Sequence, residues 1–97
     1  MSEVIYKDAL EYDLLQNNIT YEREKEFIVK YKDIILSHKF YADFIVFDKI
    51  ILEIKAQKGV ADEHYNQVIN YLVISKCKIG LIINFGGDSL ITKRVIF

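Results

Sequence analysis

Two apolar runs, each interrupted by acid, constrain this chain more than any other feature. The first is Tyr41-Ala42-Asp43-Phe44-Ile45-Val46-Phe47 and the second is Ile50-Ile51-Leu52-Glu53-Ile54-Lys55-Ala56. β-Branched and aromatic residues dominate both, which predicts buried strands. Ionised groups are rarely buried unless they are paired or bound to a metal. Glu53 and Lys55 flank one isoleucine, so they share a strand face. Asp48-Lys49 separates the runs and carries turn chemistry, which predicts a hairpin that directs Asp43, Glu53 and Lys55 toward one point.

The connection decides whether that point exists. A two-residue turn at Asp48-Lys49 pairs Phe47 with Ile50 and Asp43 with Ile54, leaving Glu53 on the opposite face. One extra loop residue, or a bulge, pairs Asp43 with Glu53 instead. Two adjacent carboxylates repel, and they keep both charges most easily around a divalent cation. Mg²⁺ (or Mn²⁺) accepts two acids, a backbone carbonyl and retained water. Lys55 beside them suits activation of water or stabilisation of a transition-state phosphate. The competing reading is a structural Glu–Lys pair at a strand end, with Asp43 exposed.

The flanking pattern completes an α/β (α+β) expectation. Residues 2–16 read as a helix with Ser2 as N-cap and Glu3 in the first turn. Tyr6, Ala9, Leu10 and Leu14 form its stripe, Glu3 lies at the stripe's end, and Asp13 falls near it. Asn17-Asn18 ends the helix. Residues 21–31 read as a strand with a solvated, charged first half, Glu22-Arg23-Glu24-Lys25-Glu26. Lys32-Asp33 reads as a hairpin turn, Ile34-Ile35-Leu36 as a return strand and Ser37-His38-Lys39 as a bend. After Gln57-Lys58-Gly59, residues 61–75 read as a second helix with the stripe Tyr65, Val68, Ile69, Leu72 and Val73. On that periodicity Gln67 points to solvent and His64 and Tyr71 lie on the flank. Residues 79–85 read as a buried strand, Gly86-Gly87-Asp88 as a turn and residues 90–97 as a last strand. The order predicted is helix, four strands, helix, two strands, with a mixed sheet flanked by helices.

Composition narrows the partners. Ninety-seven residues with 52% hydrophobic content allow one domain, 1–97, with one core. A net charge of −1 argues against a non-specific nucleic-acid coat but leaves room for a local basic groove. A single cysteine, Cys77, excludes an intrachain disulfide and a CxxC-type zinc cluster. No run reaches membrane-spanning length and no signal peptide is visible, so a cytoplasmic protein without membrane contact is expected. The small size and the final edge strand lead us to expect a homo-oligomer. His38 and His64 are expected at the surface, and Cys77 at a strand edge.

The order Asp43, then Glu53-x-Lys55, then a helix resembles the PD-(D/E)XK nuclease superfamily. The chain is more closely similar to the superfamily's small GxxExxR-type bacterial proteins. The resemblance runs through Glu3-x-x-Tyr6-x-x-Ala9-Leu10, Ala42-Asp43-Phe44-Ile45-Val46, Ile51-Leu52-Glu53-Ile54-Lys55-Ala56, Gln67-x-x-Asn70-Tyr71-Leu72 and Gly80-Leu81-Ile82-Ile83-Asn84-Phe85-Gly86. It implies a restriction-endonuclease-like core and Mg²⁺-dependent cleavage of DNA or RNA. The implied metal site is Asp43, Glu53 and the Ile54 carbonyl, with Glu3 as a third acid. Lys55 and Gln67 are the further implied catalytic residues. Ala42 stands in place of the motif's proline, and the motif's glycine and arginine around Glu3 are absent. Relatives usually carry a further upstream helical segment. Against the enzyme stands a second reading, a non-catalytic interaction module or an assembly subunit that keeps the nuclease fold.

Overall fold

The computed structural model describes residues 2–87 and 90–96; Met1, Asp88, Ser89 and Phe97, with the ends of the expected last turn and last strand, lie outside them. The elements are α1 (Glu3–Gln16), β1 (Tyr21–Tyr31), β2 (Ile34–Val46), β3 (Ile50–Lys55), α2 (Asp62–Ser75), β4 (Ile79–Asn84) and β5 (Ile91–Ile96). The five strands form one sheet in sequence order. All neighbours are antiparallel except β3 and β4, whose parallel pairing is made possible by the α2 crossover. The mixed sheet flanked by helices is the restriction-endonuclease-like architecture expected. Among the described residues no helix is long and apolar enough to cross a membrane.

One expected element merges with another. Three strands, not four, precede α2, because β2 runs unbroken from Ile34 to Val46. Ser37-His38-Lys39 is no bend. It is absorbed as an irregularity in the ladder, which passes from Ile28↔Lys39 to Lys30↔Ile35. Val29 alone then faces Leu36, Ser37 and His38. Neither glycine nor proline lies there to break the strand, so the surplus is taken up as a bulge and added twist.

Helix ends follow local chemistry. Asn18 adopts φ 55, Ile19 N–H donates to Leu14 O (3.0 Å) and Asn18 N–H to Leu15 O (3.2 Å), a Schellman close to α1. At the start of α2 the Ala61 N–H donates to His64 Nδ1 (3.0 Å). This bond explains why His64 is buried rather than at the surface. Lys76, in left-handed backbone at φ 63, ends α2.

The inward faces differ from the apolar stripes. On α1, Leu14 is buried and Tyr6, Leu10 and Lys7 are half-buried, whereas Ala9 and Asp13 are exposed. On α2 the buried residues are His64, Val68, Tyr71 and Leu72, while Val73 is exposed. The face is rotated by about one residue from the hydropathy stripe. His64 has its capping bond and Tyr71 packs edge-on against Phe40, with ring centroids 5.6 Å apart. A polar or aromatic residue with a partner can be buried where hydropathy alone would expose it.

The core lies in two layers. On the α1 side Leu14 packs with Phe44, Val46, Leu52 and Ile54, and Phe85 stacks on Tyr6 at 4.4 Å. On the α2 side Val68, Tyr71 and Leu72 pack with Ala42, Ile51 and Ile82. At Gly80 an added Cβ would come within 2.5 Å of Val68 Cγ1, so glycine sets how closely α2 approaches β4.

The charged half of β1 is not simply solvated. Glu22, Glu24 and Glu26 are exposed, but Arg23 and Lys25 are half-buried. The Arg23 guanidinium bonds Asp8 (2.7 Å) and Glu11 (3.0 Å) on α1 and lies 5.8 Å from the Phe44 ring centroid. Arg23 thus packs its charge against α1, whereas Lys25 pairs with Glu22 of its own strand (3.0 Å).

Candidate active site

The loop between β2 and β3 has three residues. Phe47 and Asp48 both adopt φ 56, and Lys49 N–H donates to Val46 O (3.0 Å). The register is therefore Val46↔Ile50, Ile45↔Ile51 and Phe44↔Leu52. The next position brings Asp43 opposite Glu53. This is the register in which the two acids can share a site.

At that position side chains replace the backbone ladder. Asp43 N–H donates to Glu53 Oε1 (3.1 Å), and Ile54 N–H donates to Asp43 Oδ2 (2.7 Å). On the other side of β2 the ladder skips the Glu24–Asp43 rung, with Glu24 at φ 53. Side-chain direction changes there. Phe40 and Ala42 pack toward α2, but Phe44 and Val46 pack toward α1. Regular alternation would keep all four on one face. The irregularity frees the Asp43 side chain to reach across to β3. Left-handed backbone at a non-glycine residue costs about 1–3 kcal/mol and persists where the surroundings dictate it.

Both acids are buried, Asp43 at 8% exposure and Glu53 at 2%. Burial first, and then the charge of Asp43, push the Glu53 carboxyl up to about 8. From α1, Lys7 Nζ stands 2.9 Å from Asp43 Oδ1 and 3.0 Å from Glu24 Oε1. Burial works against the Lys7 charge, but its two carboxylate partners outweigh it and raise its pKa. Sequence reasoning missed Lys7. The available signal was its spacing from Glu3, one turn away on the face that carries Leu10 and Leu14.

Glu3 reaches the end of β3, where its Oε2 accepts from Ala56 N–H (3.3 Å). Lys55 Nζ donates to Gln67 Oε1 (3.4 Å), and Gln67 Nε2 donates to the Tyr71 hydroxyl (3.1 Å). Gln67 thus turns toward β3 instead of solvent, a consequence of the rotated α2 face. Burial, then Glu53 and Asp43, push Tyr71 up to about 12, so its hydroxyl stays protonated. Buried Asn84 fastens the strand exit. Its Oδ1 accepts from Gln57 N–H and Gly86 N–H (both 3.0 Å), and Phe85 N–H donates to Lys55 O (2.9 Å). A Cβ on Gly86 would overlap the Gln57 backbone, so glycine is required for this approach.

The structure thus brings together Asp43, Glu53, Lys55 and Gln67, with Glu3 at the margin and Lys7 and Tyr71 added. Two adjacent carboxyl groups, one with a raised pKa and the other paired with Lys7, form a compact oxygen donor set. A hard, oxygen-preferring divalent cation fits such a donor set. Among the described residues no group of three or more His, Cys, Asp or Glu side chains is placed to hold a metal. Such a cation would therefore lean on two acids, a carbonyl and water, which suits Mg²⁺ better than zinc.

Comparison with known proteins shows the family of the chain. The model of the PD-(D/E)XK nuclease superfamily matches residues 1–95. The chain belongs to that superfamily. Among solved structures, the crystal structure of SSO0001 superposes with a TM-score of 0.75 at 22% identity, over 95% of this chain and 48% of that one. That likeness is one of fold, and this chain spans about half the length of its counterpart. No curated protein matches the chain at a significant level.

Proposed function

We infer that the protein is a metal-dependent phosphodiesterase acting on DNA or RNA, of the GxxExxR type within its superfamily. The observation that carries this reading is the register that sets Asp43 beside Glu53, joined by paired side-chain–backbone bonds. Asp43, Glu53 and the Ile54 carbonyl would hold Mg²⁺ or Mn²⁺, with Glu3 assisting from the first turn of α1. A bound divalent ion supplies charge neutralisation for the phosphate and lowers the pKa of water. Lys55 Nζ, steadied by Gln67 Oε1, orients and polarises the attacking water for in-line displacement. Gln67 is itself held by Tyr71, so the lysine is positioned by two hydrogen-bonded groups on α2.

A second reading, a nuclease fold retained as an interaction module or assembly subunit, is favoured by the Lys7 contact, which already gives Asp43 a cation. Calorimetric titration with Mg²⁺ or Mn²⁺ separates the two. The enzyme reading expects wild type to bind and Glu53→Gln to lose binding, alongside metal-dependent cleavage of a labelled oligonucleotide. Absence of binding by wild type refutes it.

A further inference from the structure

The acid pair has an internal cation, and that cation has a second carboxylate within reach. Lys7 follows Glu3 by one helical turn, so both project from the same face of α1. Its side chain is 17% exposed, and its ammonium lies 2.9 Å from Asp43 Oδ1 and 3.0 Å from Glu24 Oε1. Glu24 stands across from Asp43 on β1, at the skipped rung and in left-handed backbone. That conformation is unfavourable for glutamate within a strand, and strained backbone tends to cluster at functional sites. Here the distortion accompanies delivery of a second carboxylate to the ammonium that Asp43 already holds.

We propose that Lys7 is a resident counter-cation: it neutralises Asp43 in the metal-free protein, competes with a divalent cation for that carboxylate, and passes to Glu24 when the cation binds. The proposal rests on the reading of Asp43 and Glu53 as a metal site. Two buried carboxylates without a positive partner would repel and destabilise the fold. An ammonium beside Asp43 relieves that repulsion. A divalent ion on the same carboxylate would face a like charge a few ångströms away, and in a partly buried site that repulsion is strong. The four-carbon stem of lysine is flexible enough to release one partner and keep the other. Glu24 keeps the released ammonium paired, so displacement does not leave a bare charge. Lys55 is not in this position; it is directed to Gln67.

The test is titration of the full chain with Mn²⁺ alone, by calorimetry, for wild type, Lys7→Met, Glu24→Gln and the double variant. Methionine keeps most of the apolar stem and removes the charge. Circular dichroism establishes that each variant is folded. Lys7→Met should tighten binding at least tenfold. Glu24→Gln should weaken it several-fold in the wild-type background and change it less than twofold in the Lys7→Met background, because Glu24 acts through Lys7. Binding by Lys7→Met alone overturns the transfer to Glu24, since the lysine would then block the site outright. If wild type binds and Lys7→Met binds no tighter, the competition is overturned while the metal site stands. If Glu24→Gln weakens binding equally in both backgrounds, or not at all, the transfer to Glu24 is overturned. If neither wild type nor Lys7→Met binds, the metal-site reading falls and this proposal with it. Should Lys7→Met fail to fold, Glu24→Gln in the wild-type background decides: unchanged or tighter binding overturns the proposal.

Discussion

Replacing Glu53 by glutamine should stabilise the metal-free protein at alkaline pH. Burial and the neighbouring Asp43 charge raise the Glu53 carboxyl from 4.5 to about 8. A raised carboxyl pKa means that the fold prefers the protonated form. Its contribution to stability is fully present below about pH 4.5 and is lost as pH rises through about 8. At about 1.4 kcal/mol per unit, that gap sets a ceiling on the order of 5 kcal/mol; water and side chains relaxing around the new charge bring the expected loss to about 2–4 kcal/mol. Glutamine is a neutral isostere of the protonated acid. It keeps an oxygen for the Asp43 N–H and can turn an N–H toward the Asp43 carboxylate. The assay is urea unfolding with EDTA at pH 5, 7 and 9. The two proteins should be similar near pH 5, and Glu53→Gln should be the more stable at pH 9. The difference between their curves isolates Glu53, because other titrating groups contribute to both. Excess Mn²⁺ should restore stability to wild type alone. A difference that does not change with pH, or a Glu53→Gln variant less stable than wild type at pH 9, refutes the reasoning.

Lys55→Ala should reduce oligonucleotide cleavage by about 100-fold or more while leaving Mn²⁺ affinity within about threefold; a comparable loss of metal binding would assign Lys55 a structural role instead. Gly86→Ala should cost about 3 kcal/mol in chemical denaturation, because its Cβ meets the Gln57 backbone, not a side chain that can move. A cost below about 0.5 kcal/mol would mean that the loop yields easily. The outer edge of β5, with exposed Thr92 and Ile96, should recruit a second copy, so light scattering should give a dimer or larger. A constant monomer mass over a wide concentration range contradicts this.

Most of the fold is written in local pattern. The apolar runs give β2, β3 and β4, and the helical repeats give α1 and α2, because each of these elements buries residues at its own period. What pattern misreads is orientation. The α2 stripe of Tyr65, Val68, Ile69, Leu72 and Val73 suggests one inward face, but His64 and Tyr71 are buried instead of Val73. Hydropathy assigns each residue a fixed preference, whereas a histidine that caps its own helix and a tyrosine set against Phe40 have partners that offset the cost of burial. The misreading of Gln67 follows from the same rotation. Lys7 and Arg23 were equally hidden, since a charge inside a helix or a charged strand looks solvated until its partner on another element is known.

The site itself depended on one residue of loop length. Asp43, Glu53 and Lys55 stand out as charges in apolar runs, but a two-residue turn would have separated the acids. Phe47 and Asp48, both in left-handed backbone, supply the three-residue loop. Asp48 announces a turn, but nothing in the side chain of Phe47 announces the third loop residue, as glycine or asparagine would have done. The loop alone is also insufficient. Asp43 reaches Ile54 N–H because the β1–β2 ribbon changes facing at Glu24, so two non-glycine distortions on either side of Asp43 act on the same carboxylate. A chain selected only for stability would gain by relaxing both, for example with glycine at these positions, where positive φ carries no steric penalty. If Glu24 is strained on behalf of the site, Glu24→Gly should leave the fold at least as stable yet weaken Mn²⁺ binding as Glu24→Gln does. A glycine variant that binds the ion as well as wild type would show the strain to be a packing accident with no bearing on the acids.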